Sequence, residues 1–590
     1  MKLWGGLLGL LASLGLEAGE SFVSSSTTSS GPSGVLGVQP AAAPIPAIPD
    51  KNTPLEDDEG EKPGLLAPMP PSPVVPNLPG LTVTRGALRD RYGLPLAIEG
   101  SLLTPREQRI FRSLKVDLET YCPKLQGRCY PLGGATWHML GDIRYPQRWA
   151  SNRNLFLEKL FEPRLLGTAQ AVQLPASAPH NQALPGIRPV APPPWTGPET
   201  LTLGSPTQAE LQKLWGRDVY TSVDARFQWR VAELLRTTLK RRGLESGAVV
   251  VLNPATGEIL ASVSAPFPEP EKDEQGKPVE VRAWVARDNQ RYDRTRYVFH
   301  PPGSTFKLIT AMAALRQDPT NAERTFPCMR LPDEKGRVGI ILPGDERPIR
   351  DDELDKRPHG EVSLEPGIFH SCNAYFAQLS LYQVGARGLI DTAALFGIEA
   401  ARPNTVEEVE PTLAQTAFGQ AEVLATPMNL ATVAATVAHQ GVWVRPGWLS
   451  HKDPGYQTPD TQRILSEEQA ALMARSMRRV VLEGTARDGL KKLKTLPIAG
   501  KTGTAEIKHR NSHAWFIGYA PYLEPEQERT ENPLPQLAFA VLLENGGYGG
   551  RYAAPLAAKV VTLAHELGLI QAPKPAGSLA VTEAETLTVE

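Results

Sequence analysis

Gly247-Ala248-Val249-Val250-Val251-Leu252, then Asn253-Pro254-Ala255-Thr256-Gly257, then Glu258-Ile259-Leu260-Ala261-Ser262-Val263-Ser264 is the passage that decides the fold. The first run is rich in β-branched residues and predicts a strand. The second holds turn residues, and the third predicts a returning strand, so the passage reads as a hairpin. Towards the other end, Ile498 to Glu506 and Ala514 to Tyr519 read as another hairpin, and Leu537 to Leu543 as a further strand. Between them the pattern turns helical. Thr426-Pro427 supplies an N-cap followed by proline at the first helical position. Met428, Ala431, Ala434, Ala435 and Ala438 follow before Gly441. Strands at both ends with helices between predict an α+β fold: an antiparallel sheet with helices on its faces and an inserted helical subdomain.

The 590 residues are enough for two or three domains. A hydrophobic fraction of 41% and a charged fraction of 21% are ordinary for a soluble globular protein. A formal net charge of -2 gives no bulk field for binding nucleic acid. The four cysteines show no zinc-type spacing. Cys122 and Cys129 are near enough in sequence to bridge in an exported protein, and read equally well as two free thiols. Lys2 precedes an apolar run from Trp4 to Leu16 that Glu17 ends. That run is shorter than the ~20 residues a bilayer span needs. Residues 1–20 therefore read as a signal peptide or, alternatively, a short uncleaved membrane anchor. Residues 21–80, rich in Ser, Thr, Pro, Ala and Gly, read as linker. Residues 81–215 are expected to form a small, mixed, non-catalytic module. Residues 216–572 would be the catalytic domain, and 573–590 a tail.

Three short strings carry the chemistry. Pro301-Pro302-Gly303 breaks the chain before Ser304-Thr305-Phe306-Lys307. The apolar stretch from Ser304 to Leu315 predicts a buried helix, with Ser304 in its first turn and Lys307 on the same face. A serine hydroxyl attacks only once a base takes its proton. No histidine has a recognisable catalytic setting, so a neutral Lys307 is the candidate base. Its pKa must fall about three units from ~10.4. A second cation about 4 Å away is worth roughly 4 kcal/mol at an effective dielectric of 20. Lys501 is the candidate for that cation, and burial would act in the same direction. Ser371-Cys372-Asn373 follows Glu365 to His370, read as a loop. In extended backbone Ser371 and Asn373 share one face and Cys372 points away as a packing residue. Ser371 would relay a proton and Asn373 would bond a substrate amide. Lys501-Thr502-Gly503-Thr504 reads as a strand. Its cation and its Thr502 and Thr504 hydroxyls suit a carboxylate, and Gly503 allows close backbone approach. Trp515 and Tyr519 are expected to pack. Gly546 to Gly550 lacks the context of a phosphate loop and reads as a flexible loop.

The three strings are unique in the chain, and their S-x-x-K, S-x-N, K-T-G order is that of penicillin-binding proteins and serine β-lactamases. Arg85-Gly86-Ala87-Leu88-Arg89-Asp90-Arg91-Tyr92-Gly93-Leu94-Pro95-Leu96-Ala97 resembles the string that opens the extracytoplasmic part of class B penicillin-binding proteins. Leu88 and Tyr92 depart from it, and its arginines read equally as a solvated edge. Tyr130 to Gly134, with His138 to Gly141, resembles that family's next landmark. From Arg85 to about Leu569 the chain thus resembles a class B penicillin-binding protein, a peptidoglycan D,D-transpeptidase. The resemblance implies that Ser304 attacks the penultimate carbonyl of a stem peptide ending in D-Ala-D-Ala, and that penicillin and other β-lactams trap the same serine. It places the oxyanion hole at the backbone N–H groups of Ser304 and Thr504, and it implies no metal or organic cofactor. A membrane glycan polymerase of the SEDS family is the implied partner, and the cell envelope, outside the cytoplasmic membrane, the implied location. The alternatives are a D,D-carboxypeptidase, a β-lactam-hydrolysing or β-lactam-sensing acyl-enzyme, and a non-catalytic wall scaffold. The Glu-x-x-Leu-Asn string of class A β-lactamases is absent, which counts against the lactamase, and no motif member is missing, which counts against the scaffold; the sequence does not separate a carboxypeptidase from a transpeptidase.

Overall fold

A computed structural model describes residues 85–122, 127–141, 143, 156–166, 218–268, 288–333, 335–344, 347–353, 355–493, 496–523 and 536–573. The expected signal or anchor segment, the linker and nearly all of the tail lie outside these residues. Among the described residues, no helix is long and apolar enough to cross a membrane.

Leu88–Arg89 (β1), Pro95–Glu99 (β2), Arg128–Cys129 (β3) and Val219–Tyr220 (β4) form an N-terminal sheet in the order β3-β2-β1-β4. β1 and β4 run parallel, and the other pairs are antiparallel. The expected boundary at residue 215 is therefore not a clean cut, since β4 completes this sheet before the chain enters the catalytic body. Cys122 and Cys129 form a disulfide, which settles the open question about that pair. The arginines are not a solvated edge. Arg85 pairs with Glu158 at 3.0 Å, Arg89 with Asp218 and Glu107, and Arg91 with Glu258. Asp90 is buried and accepts the N–H groups of Tyr92, Leu94 and Ala225. The last bond ties the module to the first residue of the Ala225–Arg242 helix.

Gly247–Leu252 (β5) and Ile259–Ala265 (β6) form the predicted hairpin. A small sheet follows from Phe326–Arg330 (β7), Val338–Ile340 (β8), Ile349–Arg350 (β9) and Gly360–Val362 (β10), in the order β10-β7-β8-β9. Val442–Val444 (β11) and Thr461–Arg463 (β12) pair by themselves. Ala499–Ile507 (β13), Arg510–Ala520 (β14) and Leu537–Leu543 (β15) complete an antiparallel five-stranded sheet in the order β13-β14-β15-β5-β6. Every residue of β5 and β15 is buried, so both faces of the sheet are covered. The Ala225–Arg242 and Gly549–Glu566 helices pack together on it, as do the Pro427–Ala438 and Glu467–Leu482 helices. The Thr426 side chain caps the Pro427–Ala438 helix as its sequence predicts, with Asn429 bonding back to the Thr426 N–H.

Two local expectations change. Leu364–His370 is helical, not a loop. Pro366 lies in its first turn, where proline is tolerated. Ser371 ends it in the left-handed conformation, with φ of 63°, and its N–H returns to the Ile368 and Gly367 carbonyls. Gly549 and Gly550 are not a mobile loop; they are the buried first residues of the terminal helix, packed against β13 and β14. Trp515 and Tyr519 are both fully buried, as expected.

Candidate active site

The nucleophile string sits on a short 3-10 turn, Gly303–Thr305, that leads into the Lys307–Gln317 helix. Gly303 has φ of +53°, and a Cβ there would lie 2.8 Å from the Thr504 carbonyl oxygen. A Cβ on Gly503 would in turn meet the Pro302 carbonyl oxygen at 2.8 Å. The two glycines thus let the turn carrying Ser304 press directly on the K-T-G strand. Trp515 fixes the approach by donating its indole N–H to the Pro301 carbonyl at 3.0 Å.

The three motifs meet. Lys307 Nζ lies 3.0 Å from Ser304 Oγ, 3.1 Å from Ser371 Oγ, 2.5 Å from the Ser371 carbonyl and 2.6 Å from Asn373 Oδ1. Lys501 Nζ approaches the same Ser371 hydroxyl from the other side at 2.7 Å and also reaches the Thr502 carbonyl at 3.1 Å. Ser371 Oγ is therefore a bridge between two amines. Ser371 and Asn373 converge, though not through the extended backbone that their spacing predicts. Ser371 caps one helix and Asn373 begins the next, Asn373–Leu379. Cys372 lies buried between them, and its Sγ accepts the Tyr375 N–H.

Both lysines are fully buried. Burial lowers the pKa of Lys307 to about 8, against the opposing pull of Asp351, Cys372, Asp355 and Asp352. Burial also drives Lys501 well below the ordinary lysine range, and the neighbouring Lys307 drives it further. The expectation placed Lys501 as the main influence on Lys307. In the folded protein desolvation leads for both, and the pocket resists holding two ammonium ions.

Thr502 and Thr504 lie on β13, the edge strand of the central sheet. Among the described residues no strand pairs with the outer edge of β13, which leaves backbone groups there of the kind an oxyanion or peptide site requires. The Thr502 hydroxyl meets Thr485 Oγ1 at 2.5 Å, and Thr504 Oγ1 faces the Gly549 N–H at 3.5 Å. Thr485 escaped the sequence reading because no motif announces it. Asp351 escaped it too. Its carboxylate accepts the N–H groups of Asn373 at 2.5 Å and Ala374 at 3.0 Å, which holds the start of that helix in place. The Asn373 amide is already used at both ends, since its Nδ2 donates to the Arg350 carbonyl at 2.7 Å.

Residues 247–562 match the family described as the penicillin binding protein transpeptidase domain. The peptidoglycan D,D-transpeptidase PbpA of Mycobacterium tuberculosis is 34% identical over 358 residues, covering 54% of this chain and 67% of that protein. The peptidoglycan D,D-transpeptidase MrdA of Haemophilus influenzae is 28% identical, covering 59% and 56%. Among solved structures, penicillin-binding protein A of M. tuberculosis as a penicillin G acyl-enzyme complex superposes with a TM-score of 0.55 at 25% identity, covering 82% of this chain and all of that one. With its sheet, its motif order and a serine–lysine pair in bonding contact, the chain belongs to the penicillin-binding protein transpeptidases, the serine acyltransferases of class B that are named peptidoglycan D,D-transpeptidases.

Proposed function

We propose that the chain cross-links peptidoglycan through an acyl-enzyme on Ser304. The observation that carries this is the chain of contacts from Ser304 Oγ through Lys307 Nζ to Ser371 Oγ and Lys501 Nζ, at 3.0, 3.1 and 2.7 Å. A stem peptide ending in D-Ala-D-Ala lies along β13, with its terminal carboxylate drawn to Lys501, Thr502 and Thr504. That negative charge favours an ammonium on Lys501 and, by repulsion, a neutral amine on Lys307. Lys307 then takes the Ser304 proton as Oγ attacks the penultimate carbonyl. The oxyanion is held by the N–H groups of Ser304 and Thr504, and losing one such donor typically costs roughly 2.7–4 kcal/mol of barrier. Ser371 passes a proton to the leaving D-Ala amine. An amine from a neighbouring stem then attacks the ester, restores the Ser304 hydroxyl and completes the cross-link. Asn373 keeps Lys307 aimed and orients the substrate amide with the remaining hydrogen of its Nδ2.

Penicillin presents a strained amide beside a carboxylate and enters the same path, but its leaving group stays tethered, so the ester persists. The protein works outside the cytoplasm on the cell wall. Attachment by residues 1–20 and partnership with a SEDS-family glycan polymerase belong to the same reading. Incubating the purified protein with penicillin G and following intact mass for hours tests it. A stable adduct of one penicillin per chain, absent in Ser304→Ala, is expected. Rapid turnover of penicillin without an adduct, or an adduct that survives in Ser304→Ala, overturns it.

A further inference from the structure

On the far side of the S-x-N turn from the lysines, four side chains from separate segments converge. Cys328 comes from β7, Asp351 from the residue after β9, His359 from the residue before β10, and Cys372 from the turn itself. Their donor atoms all lie within 4.8 Å of one another. Cys328 Sγ is 3.1 Å from Asp351 Oδ2 and 3.4 Å from His359 Nδ1. His359 Nδ1 is 3.1 Å from Asp351 Oδ2. Cys328, Cys372 and the Asp351 carboxylate are buried, and the His359 side chain is only 8% exposed. A tetrahedral zinc ion with bonds of about 2.0–2.3 Å holds its ligands about 3.3–3.8 Å apart. Separations of 3.1, 3.4 and 3.1 Å among Cys328, Asp351 and His359 lie at or just under that range, and Cys372 Sγ lies within 4.8 Å of all three, so side-chain shifts of a few tenths of an ångström to about 1 Å would admit an ion.

We propose that Cys328, Asp351, His359 and Cys372 bind one zinc ion that locks the S-x-N turn in its working shape. Two sulfurs, one imidazole nitrogen and one carboxylate oxygen form a donor set for zinc, and a poor one for calcium or magnesium. On binding, both thiols release their protons to solvent and ligate as thiolates. His359 ligates through Nδ1, which leaves its Nε2 hydrogen directed at Asp355 Oδ1, 3.9 Å away. The His370 ring stacks on the His359 ring at 4.6 Å and restrains it.

The link to the active site is short. Asp351 offers Oδ2 to the ion, while its Oδ1 holds the N–H groups of Asn373 and Ala374. Cys372 lies between Ser371 and Asn373, two of the residues that contact Lys307 Nζ. The ion touches no reacting atom. Its role is to position the relay serine and the asparagine, and that role, though not the binding itself, rests on the acylation reading above.

The test uses the full chain, without an affinity tag, purified from cells supplied with zinc sulfate. Elemental analysis should find about one zinc per chain. Cys328→Ser should reduce this at least tenfold, and Ser304→Ala should leave it unchanged. Replacing the ion with cobalt should give a thiolate-to-cobalt absorption band that Cys372→Ser weakens. If the cysteine variants do not fold, the wild-type protein still decides. Stripping its zinc with dipicolinate should lower the melting midpoint by several degrees and slow penicillin acylation at least tenfold, and zinc but not magnesium should restore both. Zinc below a tenth of an ion per chain overturns the site, as does a Cys328–Cys372 disulfide found by mass mapping of the unreduced protein. If zinc is present but acylation is untouched by its removal, the positioning role falls; if acylation fails in every sample while zinc stays bound, the acylation reading falls instead.

Discussion

Two buried polar clusters flank Cys372, and they are opposites. On one side Lys307 and Lys501 share the Ser371 hydroxyl, with Ser304 half-buried at the mouth. On the other, Cys328, Asp351 and His359 gather acidic and sulfur groups in a closed pocket. The first cluster gathers positive charge out of water, which weakens proton binding and makes an amine available as a base. The second gathers ligands that need a cation, or protons, to be stable when buried. Asp351 belongs to both stories, since one oxygen faces the thiols and the other holds the backbone of Asn373. The turn is therefore held by Asp351, while it presents Ser371 and Asn373 to Lys307.

The comparison breaks most sharply at Ser304. Ser304→Ala should abolish the penicillin adduct and slow any acyl transfer by about 10⁵-fold or more, as removal of a nucleophile does elsewhere. Intact mass and a stopped β-lactam reporter measure it. The fold should be untouched, because among the described residues the Ser304 hydroxyl bonds only to Lys307.

Lys307 comes next. Lys307→Met should lower the acylation rate by about 10³-fold, within the range for a lost general base. The pH dependence gives a finer reading. The base must be neutral, and burial holds its pKa at about 8. Acylation should therefore be fast above that value and fall about tenfold per pH unit below it. A rate in the wild type that stays flat from pH 6 to 9 would remove Lys307 from the role.

How much of this the sequence disclosed follows from the same contrast. The lysine side is written in strings that stay short because each hangs on one turn or one strand, so Ser304, Lys307, Ser371, Asn373 and Lys501 could be picked out one motif at a time. The central hairpins were legible for a similar reason, since alternation and turn residues are local. The thiol side draws one residue from each of four segments, and only the small β7–β10 sheet brings them together. Cysteine spacing along the chain carries no trace of that sheet. Pro366 and Gly367 obscure the Leu364–His370 helix in the sequence, since both break helices in general, whereas proline in a first turn does not. Thr485 was invisible, as it touches Thr502 only after the Glu467–Leu482 helix has packed on β13.

Lys501 should matter through binding more than through chemistry. Lys501→Ala removes one of the two amines on Ser371 and, on the proposed reading, the cation for the substrate carboxylate. A drop in kcat/KM of about 10²-fold is expected, since a charge-assisted bond contributes roughly 1.5–3 kcal/mol. The split should favour KM for a D-Ala-D-Ala peptide. An equal loss on a substrate analogue without a carboxylate would show that Lys501 acts on the proton relay and not on the carboxylate.

The smallest effect should come from Thr485, and it tells whether the carboxylate site is built by β13 alone. The Thr485 and Thr502 hydroxyls lie 2.5 Å apart, so one must donate and the other accept. If Thr485 accepts, it leaves Thr502 Oγ1 with lone pairs towards the ligand, which repels a carboxylate. If Thr485 donates, it uses a lone pair of Thr502 and leaves the Thr502 hydrogen free for the ligand. The second arrangement is the one a carboxylate selects. Thr485→Val keeps the shape and removes the donor, and a neutral hydrogen bond of this kind is worth about 0.5–1.5 kcal/mol. KM should rise by about two- to tenfold, with kcat and the acid limb near pH 8 unmoved. Thr485→Ser should restore it. A shifted pH profile in Thr485→Val would instead tie this hydroxyl to the lysine pair, through the contact between Lys501 Nζ and the Thr502 carbonyl.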